Sequence, residues 1–124
     1  MQVLKIQHTK NSPEILLDPA GTIRIKGRSI HENAAEFFEP VDDWITNYVK
    51  DPADLTTVNI NLEYFNSASA RIFISLFQKI TFVALKDKKF LFNWYFEEGD
   101  EDILERGEYF ATVLDIPINF IKIN

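Results

Sequence analysis

The residues best placed to do chemistry lie in one short stretch, Asn66-Ser-Ala-Ser-Ala-Arg71. The run before it, Val58-Asn-Ile-Asn-Leu-Glu-Tyr-Phe65, reads as a strand. The run after it, Ile72-Phe-Ile-Ser-Leu-Phe-Gln-Lys-Ile80, reads as an apolar helix. Ser67 and Ser69 therefore fall on a helix N-terminus at the carboxyl edge of a sheet. Free backbone N–H groups and the positive end of the helix dipole favour a phosphate there. The small neighbours Ala68 and Ala70 leave room around the hydroxyls, and open α/β sheets tend to carry their sites at this edge. Arg71, one turn in, could screen an added phosphate. The plainer alternative is that Asn66 or Ser67 only caps the helix, a common role worth about 1 kcal/mol, and that Arg71 is a solvated charge.

Other constellations are weaker. Ser67 as the nucleophile of a small hydrolase-like enzyme would need His31 or His8 beside it and a carboxylate behind. No Gly-x-Ser-x-Gly elbow supports that arrangement. The two histidines lack the spacing of a metal pair, and four glycines form no phosphate-cradling loop. The acidic run Glu97-Glu-Gly-Asp-Glu-Asp102, with Glu105, suits a helix start with Asp100 as its cap. It does not have the ligand pattern of a Ca²⁺ loop, though it could dock a basic partner. No metal and no cofactor is expected.

The elements that must position Ser67 follow from periodicity. Residues 3–7 form a short strand, and 13–17 with 22–26 form a hairpin around Asp18-Pro-Ala-Gly21. Residues 33–50 carry a helical stripe of Phe37, Val41, Trp44 and Tyr48, with Phe38, Ile45 and Val49 beside it. Asn33 and Glu36 are spaced as a capping box. Pro40 should kink this helix or mark the start of its main segment. A strand at 58–62, a helix at 67–85, a turn at 86–89, a strand at 90–96, a helix at 101–114 and a strand at 119–123 complete the order βββαβαβαβ. The last two crossovers should be right-handed with parallel strands; the hairpin is antiparallel, so the sheet is mixed. Asn59, Asn61 and Asn93 suggest that one sheet face is partly bare, with the helices mainly on the other. Ile72, Phe73 and Ile74 are consecutive, so one of them should face a partner or a neighbouring helix.

Composition bounds the rest. At 124 residues the chain is expected to be a single α/β domain spanning 1–124. Its 46 % hydrophobic content and eleven phenylalanines argue against disorder. Thirteen basic against nineteen acidic residues give a net charge of −6, which disfavours nucleic acid and anionic membrane surfaces. No apolar run approaches the ~20 residues of a bilayer span, and Met1-Gln-Val-Leu-Lys5 lacks the features of a signal peptide. The absence of cysteine removes disulfides and thiol chemistry. The expectation is a cytoplasmic protein without membrane insertion.

An ordered set of short motifs adds to this reading: Ser12-Pro-Glu-Ile-Leu16, Gly27-Arg-Ser29, Glu32-Asn-Ala34, Glu36-Phe-Phe-Glu-Pro-Val41, Trp44, Leu62-Glu-Tyr-Phe-Asn-Ser67, Asn93-Trp-Tyr95, Asp100-Glu-Asp102 and Gly107-Glu108. Together they resemble the SiaC family of bacterial regulatory phosphoproteins over nearly the whole chain. The resemblance implies a fold similar to the STAS domain and a non-enzymatic role in a partner-switching module. It implies a serine/threonine kinase that phosphorylates a hydroxyl just after the Tyr-Phe-Asn stretch, and a PP2C-like phosphatase that removes it. It also implies that the unphosphorylated form activates a diguanylate cyclase, raising cyclic di-GMP and promoting biofilm growth. The acceptor falls on Ser67, with Ser69 as the alternative register; Asn66, Ser67, Ser69, Arg71 and Tyr64 form the implied interaction surface. The chain has Ser67 and Ala68 where the family more often has Thr and Ser, and Arg71 where Lys is common. The remaining alternatives are the hydrolase-like enzyme and a plain structural subunit.

Overall fold

The computed structural model describes residues 1–124. Strands β1 (Leu4–Ile6), β2 (Glu14–Asp18) and β3 (Thr22–Ser29) lead into helix α1 (Ala34–Tyr48). Strand β4 (Leu55–Phe65), helix α2 (Ser67–Ile80) with a 3₁₀ extension (Thr81–Lys86), strand β5 (Lys89–Glu97), helix α3 (Glu101–Leu114) and strand β6 (Ile118–Ile123) follow. The six strands form one sheet in sequence order. Pairing is antiparallel from β1 to β3 and parallel from β3 to β6. The mixed sheet and the βββαβαβαβ order agree with the sequence. A third parallel crossover, β3-α1-β4, adds to the two that were expected.

Alternation decides where the core sits. Ile23, Ile25, Val58, Ile60, Leu62, Phe92 and Trp94 are buried under the helices. The residues between them face the other way. There Asn93 donates to Asn59 (2.9 Å) and Asn119 donates to Asn93 (3.2 Å), a polar ladder across β4, β5 and β6 on the helix-free face. The helix side is filled by rings in edge-on and stacked contact, among them Phe38, Phe65, Phe73, Phe77, Phe92, Trp94 and Phe110. Such pairs add about 0.5–1.5 kcal/mol each beyond area burial. Gly107 lets α3 approach the sheet: a Cβ there would stand 2.6 Å from the Trp94 ring.

Three expectations need correction. Helix α1 starts at Ala34 and runs through Pro40. Asn33 accepts from the Glu36 N–H and its amide donates back to the Glu36 carboxylate (2.9 Å), which secures the first turn. Glu36 and Pro40 are both exposed, so water can serve the carbonyl that proline leaves unbonded. The second helix ends as α-helix at Ile80, and the remainder to Lys86 is 3₁₀. The combined stretch Ser67–Lys86 is 20 residues and does reach the length and apolarity of a bilayer span. It is nevertheless a core helix, with Phe73, Phe77, Ile80 and Val83 buried against the sheet and Arg71 and Lys79 within it.

Candidate functional site

The local sequence at the β4–α2 junction dictates its geometry. Simple alternation through Val58, Ile60 and Leu62 would bury Tyr64 and expose Phe65. The pairing of β3 with β4 instead shifts after Gly27↔Leu62, so that Arg28 pairs with Tyr64. The extra residue, Glu63, is a bulge, and bulges re-aim the side chains beyond them. Phe65 thereby enters the core at 0 % exposure, whereas Tyr64 is 46 % exposed beside the junction.

Asn66 is the cap. Its side chain accepts from the Ser69 N–H (2.9 Å) and donates to the His31 carbonyl (3.1 Å), which ties the helix start to the β3–α1 loop. Ser67 is therefore the first residue of α2 and not its cap, which removes the simple capping role for this hydroxyl. The two serines part company here. Ser69 is fully buried; its hydroxyl donates to the Ser29 carbonyl (3.0 Å) and accepts from the Ser29 hydroxyl (2.7 Å). Ser67 is exposed.

Ser67 lines a groove of about 470 Å³ between α2 and α3, together with Ala70, Arg71, Ile74, Asp102, Glu105, Arg106 and Tyr109. Arg106 was not singled out from the sequence. It donates to the Phe65 carbonyl at 2.6 Å, and its guanidinium carbon stands 3.6 Å from the centre of the Phe65 ring and 5.7 Å from that of Tyr64. A lone basic residue in an otherwise acidic helix, next to the glycine that meets the sheet, was the available signal. The consecutive apolar triplet is resolved as well. Phe73 enters the core, Ile72 lines the crevice against α1 with Ala35 and Phe38, and Ile74 lines the Ser67 groove.

The catalytic arrangement does not assemble. The His31 ring stacks on Phe37 (4.4 Å) and His8 lines a separate groove with Lys10, Arg28 and Glu63; neither is hydrogen-bonded to Ser67. A serine without a base is a poor nucleophile. In the acidic run Asp100 accepts from the Ile103 N–H (3.1 Å) as the cap of α3, and no group of three ligating side chains suits a metal ion.

The β4–α2 junction thus presents one exposed hydroxyl, Ser67, at the rim of the α2–α3 groove. The chain belongs to the SiaC family of regulatory phosphoproteins, whose family model matches residues 6–123. Its role is accordingly regulatory rather than catalytic. An uncharacterized protein of Pseudomonas aeruginosa strain UCBPP-PA14 is 25 % identical over 118 residues, 94 % of each chain. Apo-SiaC from Pseudomonas aeruginosa superposes with a TM-score of 0.87 at 23 % identity, over 98 % of this chain and 99 % of that one. A chain from the crystal structure of the diguanylate cyclase SiaD in complex with its activator SiaC superposes at 0.88, again at 23 % identity, over 97 % and 99 %. These likenesses establish the shared fold.

Proposed function

We propose that this chain is the switch protein of a partner-switching module, reversibly phosphorylated on Ser67, and that its unphosphorylated form binds and activates a diguanylate cyclase. The observation that carries the choice of residue is the contrast between the two serines: Ser67 is exposed at the groove, whereas the Ser69 hydroxyl is buried and fully bonded. A kinase can reach the first without unfolding α2. The choice of effector is supported by the structural relative solved with a cyclase as its activator. A serine/threonine kinase and a PP2C-like phosphatase would complete the module in the cytoplasm, and cyclic di-GMP output would link it to biofilm control.

The surface this reading assigns to the effector comprises Tyr64, Asn66, Ser67, Arg71 and the rim of the α2–α3 groove, with Ser69 acting from beneath as a structural support. Phosphorylation adds about 1.5 to 2 negative charges and three acceptor oxygens. On the free protein a helix N-terminus tolerates that charge. In a docked interface it must be desolvated, at a cost on the order of several kcal/mol unless a cation meets it. The test is binding of the full chain to the host's diguanylate cyclase by calorimetry. Ser67→Ala should bind as the unmodified protein does, and Ser67→Asp should bind at least about tenfold more weakly, a loss of about 1.4 kcal/mol. Equal binding by both variants would overturn Ser67 as the switch.

A further inference from the structure

We propose that Arg71 and Arg106 form an internal receiver for the phosphate on Ser67, so that modification fills the α2–α3 groove with the protein's own phosphoryl group. The inference rests on the reading of Ser67 as the modified residue and adds how the modification acts.

Arg71 and Arg106 both line the groove that Ser67 lines. Arg106 is held in place on one side only, by the hydrogen bond from one terminal nitrogen to the Phe65 carbonyl (2.6 Å) and by its contact with the Phe65 ring. A guanidinium carries five N–H donors in a fixed plane, so its remaining donors are uncommitted. Neither arginine has a carboxylate within ion-pair distance, although Asp102 and Glu105 line the same groove. In a chain of net charge −6, two arginines without an ion-pair partner in the same groove as one exposed serine are conspicuous. A phosphoserine dianion supplies three terminal oxygens, two of which the planar guanidinium fork can bind at once. Arg106, already oriented, would receive it with little loss of side-chain freedom; Arg71, exposed on the first turns of α2, would swing in. The groove lining then changes from two cations and two carboxylates to a surface carrying about 1.5 to 2 further negative charges. Both arginines would be engaged internally and no longer offered to a partner.

The experiment uses the full chain with phosphoserine installed at position 67 during translation, so no kinase is needed. Phosphorus NMR then follows the second ionisation of the phosphate. Guanidinium groups favour the dianion and the two carboxylates oppose it. The midpoint should lie at least about 0.5 pH unit below that of a phosphoserine peptide of residues 64–70. In the Arg71→Gln/Arg106→Gln double variant it should rise toward the peptide value, leaving only what the helix N-terminus contributes against the two carboxylates. Arg71→Gln alone, at an exposed position that cannot impair folding much, should recover part of the difference, and Arg106→Lys should keep part of it. A midpoint at or above the peptide value in the unsubstituted chain would overturn the receiver, as would coincident titrations of that chain and the variants. Cyclase binding by the same phosphorylated chain is scored separately: undiminished binding there would remove the partner-switch reading and leave the titration to decide the receiver.

Discussion

Ser67 and Ser69 stand two positions apart, yet the helix turns them to opposite environments. Ser69 shares a stripe with Phe73, Leu76, Phe77 and Ile80 and lies against the end of β3. Ser69→Ala removes a buried hydroxyl and leaves the Ser29 hydroxyl without its acceptor, which should cost about 1–3 kcal/mol. Ser67→Ala touches nothing buried and should stay within about 0.5 kcal/mol. Urea denaturation of both variants checks this, and a reversed order would contradict the burial. The stripe was legible in the 69, 73, 76, 77, 80 spacing, so Ser69 could have been set aside as an acceptor from periodicity alone. Arg106 could not be placed that way, because its partners, the Phe65 carbonyl and ring, lie 41 residues earlier in the chain.

At the scale of elements, two junctions hold the site in shape. Asn66→Ala deletes the cap of α2 and the link to the β3–α1 loop. It should cost about 1 kcal/mol, read as a lower melting midpoint and faster amide exchange in the first turn of α2. Gly107→Ala would ordinarily stabilise a helix by about 1 kcal/mol. Here the added methyl meets the rings of Trp94 and Phe120 at 2.6 and 2.8 Å, and overpacking of about 1–3 kcal/mol should win. A more stable variant would mean that α3 can lift off the sheet without loss. At the other end of β4, the exposed pair Lys88–Asp54 (2.7 Å) joins the segments that enter β4 and β5. The hydrogen bond and charge of Lys88 hold the Asp54 carboxyl below its ordinary 3.8, and the same bond and charge raise Lys88 above 10.5. The Asp54 contribution is present above 3.8 and lost as pH falls through the lowered folded value. The Lys88 contribution is present below 10.5 and lost as pH rises through the raised one. Melting curves of Asp54→Asn and the parent chain should therefore differ by a small, salt-sensitive margin at neutral pH and converge at both extremes.

For the whole molecule, all three helices share one face of one sheet, and a single set of buried rings connects them. Trp44 belongs to α1 and donates to the Gln2 carbonyl (2.9 Å); Trp94 lies in β5 and donates to the Ile103 carbonyl (3.0 Å). The two indoles report on opposite ends of the sheet. In Trp44→Phe and Trp94→Phe chains, the surviving fluorescence transition and far-UV dichroism should coincide, as for one cooperative unit under about 150 residues. Separate midpoints would indicate two units. By itself the sequence determined the order of elements, the mixed sheet, the buried and bare faces and the strand-to-helix position of Ser67. Those follow from local periodicity, turn residues and charge, which act over a few residues. Only the tertiary structure decided that a bulge at Glu63 exposes Tyr64 and buries Phe65, that the capping residue Asn66 also holds the His31 carbonyl, and that Arg106 of α3 joins Ser67 in one groove. Each of these depends on register and packing between segments distant in the chain, and no local spacing encodes that.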